Sequence, residues 1–140
     1  MGETIYVTPP DLHLPVQGLR FYFLGGSPEW RQQAQGLIDE VYSSSSVTHY
    51  FTPEPIDDVN IPWVIANIYH ADLIIANLDV INNLELTFAA ALSRQENVWF
   101  YSDQGNNKGI QKILNTIGKT AIIEDLPTFK VALDLESKHG

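Results

Sequence analysis

Short apolar runs alternate with helix-length segments five times along this 140-residue chain, and that alternation constrains the fold more than any other feature. The runs are Leu19–Leu24, Val47–Phe51, Ala71–Leu78, Asn97–Tyr101 and Thr120–Ile123. A strand, a helix and a second strand in succession close into a right-handed unit whose two strands are parallel. Strands of a parallel sheet are covered on both faces and read as nearly continuous apolar segments. Phe21-Tyr22-Phe23-Leu24 and Leu73-Ile74-Ile75-Ala76 have that character.

The intervening segments carry helix signals. Ser27-Pro28 supplies an N-cap and a proline at the first helical position, opening a helix to about Tyr42 that buries Trp30, Ala34, Leu37, Ile38 and Val41. Further helices are expected from Pro62 to His70, from Asn82 or Asn83 to about Arg94, from Gly109 to about Ile117, and from Pro127 to about Leu135. The fold class expected is α/β: a flavodoxin-like three-layer sandwich with a five-stranded parallel sheet, ordered 2-1-3-4-5 when strands are counted from Leu19–Leu24. Residues 1–18, with Pro9, Pro10 and Pro15, read as an extended N-terminal arm in which Thr4–Val7 could add an edge strand. Residues 19–140 then form a single α/β domain.

Composition narrows the function. With 44% hydrophobic and 18% charged residues the chain can bury one core. No apolar run approaches the roughly 18 to 20 residues of a membrane span, so no membrane partner is expected. The first twenty residues lack a charged region followed by an apolar one, so no secretory signal is read. Cysteine is absent, which excludes disulfides, thiolate metal sites and cysteine nucleophiles, and fits a cytoplasmic location. Seventeen acidic residues against eight basic ones give a net charge of −9. The densest basic stretch is Lys108 and Lys112, too sparse to displace counterions from nucleic acid. A neutral or weakly charged small molecule is the better partner. His13, His49, His70 and His139 show no ligand spacing, so neither a metal nor a cofactor is expected.

Open parallel sheets bind ligands beyond the carboxyl ends of their strands, where the strand order reverses. That crevice falls here between the strands ending at Leu24 and Leu78. Gly25, Gly26, Ser27, Asn77, Asp79, Asn82 and Glu85 converge on it, with Tyr101, Ser102 and Asp103 beside them. Gly25-Gly26-Ser27 either lets a ligand reach amides at a helix N-terminus or makes a tight strand-to-helix turn. It is no P-loop, because no Gly-Lys-Ser/Thr follows, and no dinucleotide fingerprint, because the third glycine is missing. Glu85 and Thr87 alone break the apolar run Leu84–Leu92, which marks a buried helix. Asn82-x-x-Glu85 matches a capping box, in which the glutamate bonds back to the cap amide. Alternatively, Glu85 and Asp79 face one cavity as the paired carboxylates of glycosidic chemistry. Asp79 could also be a solvated loop residue. Asp72 is read as holding the helix-to-strand turn, Trp30 and Trp63 as core or pocket wall, and Trp99 as part of its strand.

Taken together, Phe21–Ser27, Trp30, Trp63, Ala71–Asp79 and Glu85-Leu86 resemble the nucleoside 2-deoxyribosyltransferase-like superfamily over roughly residues 20–102. The resemblance implies a domain that binds a nucleoside or nucleotide. Glu85 would attack the anomeric carbon of the deoxyribose, and Asp79 would help hold base or sugar. Tyr22, Gly25, Gly26, Ser27, Asn77, Asn82, Ser102 and Asp103 would line the ligand site. A homo-oligomer is implied as well, since related enzymes often complete their pockets across subunits. The chain departs from the family in three places. Ile81-Asn82 stands where a Gly-Thr pair is usual, Thr87 where a small residue is usual, and Phe23 where the first strand usually has tyrosine, with Tyr22 adjacent. The function implied is a 2-deoxyribosyltransferase or N-glycosidase with a glutamate nucleophile. A catalytically inactive nucleotide-binding module, or an assembly protein reusing the fold, are the alternatives.

Overall fold

The computed structural model describes residues 4–7, 18–53, 60–105, 107–118 and 122–139. In chain order the elements are β1 (Thr4–Val7), β2 (Leu19–Gly25), α1 (Pro28–Val41), β3 (Val47–Phe51), α2 (Ile61–Tyr69), β4 (Leu73–Asn77), α3 (Asn83–Ala91), β5 (Val98–Tyr101), α4 (Lys108–Ile117) and α5 (Leu126–His139). All strands pair in parallel, in the order β1-β3-β2-β4-β5. The chain is therefore α/β, as the alternation requires.

β3, β2, β4 and β5 take the expected 2-1-3-4 order. The five-stranded sheet as expected does not form, because the outermost strand lies at the opposite edge. Thr4–Val7 pairs with β3 over the full register Thr4↔Val47 to Val7↔Tyr50, so this part of the arm belongs to the sheet of the domain. Of the expected strand Thr120–Ile123, residues 120–121 lie outside the described residues, and Ile123 makes an isolated bridge to Tyr101. Its N–H donates to the Phe100 carbonyl at 2.9 Å, and its carbonyl accepts the Ser102 N–H at 3.0 Å. Two residues later Asp125 accepts the Thr128 N–H at 2.7 Å and turns the chain into α5, which ends the pairing.

Strand alternation sorts the core into two layers. Tyr22, Leu24, Tyr50, Ile74 and Ala76 point one way, into a cluster completed by Trp63, Val64 and Ile68 of α2, Ala89 of α3, and Ile110 and Leu114 of α4. Phe21, Phe23, Leu73, Ile75 and Tyr101 point the other way, against Trp30, Ala34 and Ile38 of α1 and Phe129 and Leu133 of α5. Both faces of β2 and β4 are thus covered, which is why these strands read as unbroken apolar runs. Asp72 clamps the start of the central pair: its carboxylate accepts the Arg20 N–H, and its N–H donates to the Arg20 carbonyl, each at 2.8 Å.

Candidate functional site

The strand order reverses between β2 and β4, and their register brings Gly25 opposite Asn77 at the carboxyl ends. Two positive-φ glycines turn the chain away from β2. Gly25 has φ +77°, and a Cβ there would stand 2.4 Å from the Val80 carbonyl oxygen and 2.8 Å from that of Asn77. Gly26 has φ +91°, and its Cβ would meet the Trp30 ring at 2.5 Å. Any side chain at either position would collide, and the pair makes a tight strand-to-helix turn. The amides left at the turn are not idle. The Gly26 N–H donates to the Val80 carbonyl at 2.6 Å, and the Gly25 N–H donates to Glu85 Oε2 at 2.8 Å. Ser27 is the N-cap of α1, its hydroxyl accepting the Trp30 N–H at 3.2 Å.

Glu85 lies in the first turn of α3, a position favoured for a carboxylate by the helix dipole. Asn82 is the N-cap, and its side chain accepts the Glu85 N–H at 2.8 Å. Half of a capping box is present. The other half is not, because the Glu85 carboxylate crosses to β2 instead of returning to the Asn82 amide. The residue is 7% exposed, and among the described residues no donor reaches its second carboxylate oxygen.

Tyr22 stands beside Glu85, wholly buried, with its hydroxyl 3.1 Å from Thr52 Oγ1. Burial pushes the phenol above the ordinary tyrosine range, and the charge of Glu85 adds to the shift, while the Thr52 bond opposes it. Tyr22 is therefore a neutral hydroxyl throughout the physiological range. Its ring stacks on Tyr50 at 6.3 Å, and Tyr50 packs on Trp63 at 6.1 Å, so the three aromatic rings form one group in the core on the α2 side of the sheet. Trp63 Nε1 is buried and has no hydrogen-bond partner among the described residues.

Asp79 is organised differently. Its N–H donates to Asn77 Oδ1 at 2.9 Å, which holds the turn after β4. Its Oδ1 accepts the Ser102 hydroxyl at 2.5 Å and its Oδ2 the Asp103 N–H at 2.9 Å, tying the ends of β4 and β5 together. Ser102 Oγ in turn accepts the Gln104 N–H at 3.0 Å. Asp103 is exposed, and its carboxyl is held above the usual carboxylate range, first by hydrogen bonding to Asp79 and then by the charge of Asp79.

The residues singled out in the sequence thus form two adjoining clusters. Gly25, Glu85, Tyr22 and the Asn82 cap make one, while Asn77, Asp79, Ser102 and Asp103 make the other. Each acidic side chain is engaged with a neighbouring strand end rather than hydrogen bonded to the other acid. Thr52 was not singled out. It sits one residue past β3, level with the tip of β2, so the rule that sites gather at carboxyl ends of parallel strands points to it. Among the described residues no group of three or more histidine, cysteine or carboxylate side chains is placed to hold a metal ion.

Neither protein-family models nor curated proteins give a match to this chain.

Proposed function

We propose that this protein cleaves or exchanges the N-glycosidic bond of a nucleoside or nucleotide, with Glu85 as nucleophile. The observation that carries the reading is the state of that carboxylate. It is buried at the switch point of the sheet and anchored through one oxygen to the Gly25 amide, and among the described residues no donor reaches its second oxygen. A nucleophilic carboxylate needs that combination: one oxygen fixed for aim, the other able to form a bond. In the reaction, Glu85 Oε1 would attack the anomeric carbon as the bond to the base nitrogen breaks. The base takes a proton as it leaves. Water or a second base then displaces Glu85, restoring the free carboxylate and completing a retaining double displacement. Tyr22, as a neutral donor beside Glu85, suits a role in binding the sugar.

A second reading, a nucleotide-binding module without turnover, is favoured by Asp79. Both of its oxygens already accept hydrogen bonds from the 102–103 segment, so an acid/base task would require that segment to release it. An assembly role for the fold is the third reading and needs no ligand. One experiment separates the three. The protein is incubated with 2′-deoxynucleosides and their monophosphates, with and without an acceptor base, and free base is followed by chromatography. Base release by wild type, abolished in Glu85→Ala, supports the enzyme. A rise in melting temperature with a nucleotide but no release supports the binding module. Neither signal leaves the assembly reading.

A further inference from the structure

Arg31 carries a charge that no carboxylate of the described residues answers. It lies near the start of α1, half-buried, and takes part in no ion pair among them. On a helix an acid meets a base three or four positions away, and those positions hold Ser27, Pro28, Ala34 and Gln35. Glu29, two positions earlier, lies on the other side of the helix. What holds Arg31 is a ring: its guanidinium carbon stands 5.0 Å from the centroid of Phe51. The stem of the side chain passes the turn after β2, its Cγ 3.4 Å from where a Cβ on Gly26 would stand. Stacking through one face leaves the N–H groups along the guanidinium edge able to donate. The other described cations lie elsewhere. Arg20 opens β2 at the far end of the strand, Lys108 and Lys112 lie on α4 beyond β5, and Lys130 is paired with Glu40. Arg94 and Lys138 stand at the ends of α3 and α5.

We propose that Arg31 binds the phosphate of a nucleotide whose sugar lies at Glu85, so that the substrate is a 2′-deoxynucleoside monophosphate and not the unphosphorylated nucleoside. The assignment rests on the reading of Glu85 as nucleophile, which it deepens. Placement carries it. Phe51 is paired with Phe23, two residues before Gly25, so the α-carbons of Phe51 and Gly25 stand roughly 8 Å apart by strand geometry. The Gly25 amide holds Glu85 of α3, while Phe51 holds Arg31 on the face covered by α1. The two groups flank the same stretch of the crevice, at a separation on the scale of a nucleotide's sugar and phosphate. Chemistry fits the pairing as well. A phosphomonoester carries about 1.5 to 2 negative charges at neutral pH and three acceptor oxygens, which suit the planar fork of an arginine. An unphosphorylated nucleoside has no anion for Arg31 to meet. The net charge of −9 opposes an anion at long range, so capture has to come from a local cation. At the carboxyl ends of β2 and β3, Arg31 is that cation among the described residues.

The test is isothermal titration of the full chain with a 2′-deoxynucleoside, its 5′- and 3′-monophosphates, and inorganic phosphate. Titrations use Glu85→Gln, which keeps the side chain's shape and does not consume the ligand, alone and combined with changes at Arg31. Base release by the protein with Glu85 intact is followed in parallel. One monophosphate should bind at least about tenfold more tightly than the nucleoside, as a charge-assisted pair gives, and the preferred ester fixes which sugar carbon bears the phosphate. Arg31→Gln should remove that preference and leave nucleoside affinity within about twofold. Arg31→Lys keeps the charge without the fork and should lose at least about threefold of the preference, which serves as the test if Arg31→Gln does not fold. Equal affinity for the nucleoside and both esters, a preference that survives the Arg31 variants, inorganic phosphate bound as tightly as the nucleotide, or no binding at all would each overturn the phosphate site. The two readings fail separately. Base released from nucleoside and nucleotide at equal kcat/KM, unchanged in Arg31→Gln, leaves the chemistry standing and sinks the phosphate site. A nucleotide held through Arg31 with no base released from any ligand supports the phosphate site and sinks the chemistry.

Discussion

Glu85 and Gly25, sixty residues apart in sequence, are joined by a buried 2.8 Å hydrogen bond from the glycine amide to the glutamate Oε2. This contact fastens the first turn of α3 to the tip of β2, and it replaces the local bond that a capping box would have made. A carboxylate acceptor makes such a bond about twice as strong as a neutral one. The low exposure of the site keeps solvent from competing for it.

Removing the acceptor has a cost. Glu85→Ala leaves the Gly25 amide without its partner and should lower unfolding free energy by about 1.5–3 kcal/mol. Glu85→Gln keeps shape and an acceptor oxygen, so it should cost less. Urea denaturation of the three proteins checks the ranking. Equal stability of Glu85→Ala and wild type would show that the contact contributes nothing.

Gly25→Ala tests the same junction from the other side. The positive φ and the close Val80 and Asn77 carbonyls forbid a side chain there, and strain of this kind costs on the order of 1–3 kcal/mol. Thermal melts should show the variant well below wild type, whereas Gly36→Ala on the exposed side of α1, where an added Cβ has open space, should match or exceed wild type.

Most of this architecture was legible in the sequence, and the parts that were not share a cause. The two-sided apolar runs at 19–24 and 71–78 identify central parallel strands, because burial on both faces leaves no polar alternation. Ser27 and Asn82 were readable as caps, since a short polar side chain before a helix has few other uses. The edges of the sheet were readable only as options. Thr4–Val7 was legible as a possible edge strand, and it does pair with β3, but a segment this short takes its place from edges that exist only once the sheet has formed. Glu85 posed the same difficulty. Its local partner at Asn82 and its distant partner at Gly25 are both backbone amides, and only the folded chain decides between them. Asp79 was visible as a strand-tip acid, but its bonds to Ser102 and Asp103 depend on β5 lying beside β4.

Stability should fall as the medium is acidified through the histidine range. His49 is fully buried between Phe21, Phe23 and α1, with Nε2 3.1 Å from Asp39 Oδ1. Burial lowers its pKa below the ordinary value near 6.5, and the Asp39 contact offsets only part of that. With the folded value depressed, the unfolded chain takes up the proton first. His49 therefore imposes no penalty above about pH 6.5, and stability is lost below it at up to about 1.4 kcal/mol per pH unit. Urea midpoints at pH 7.5 and 5.5 should differ in wild type and converge in His49→Gln. An identical pH dependence in the variant would assign the effect elsewhere.

Asp103 should report on Asp79. Its raised carboxyl pKa comes from Asp79, so Asp79→Asn should return it toward the ordinary aspartate value, followed by carbon NMR of the Asp103 carboxyl across an acid titration. Because Asp103 is exposed, the change should be visible in the titration with little effect on stability. An unshifted Asp103 in wild type, or no response to Asp79→Asn, would show that the two carboxylates do not interact.

The central claim is that Glu85 forms a bond to the sugar. The most direct measurement is peptide mass spectrometry of protein quenched in acid during turnover of a 2′-deoxynucleoside that it cleaves. A deoxyribosyl group on the peptide containing Glu85, absent from Glu85→Gln, is the result expected. Base release with no adduct on that residue, or release that persists in Glu85→Ala, would contradict it.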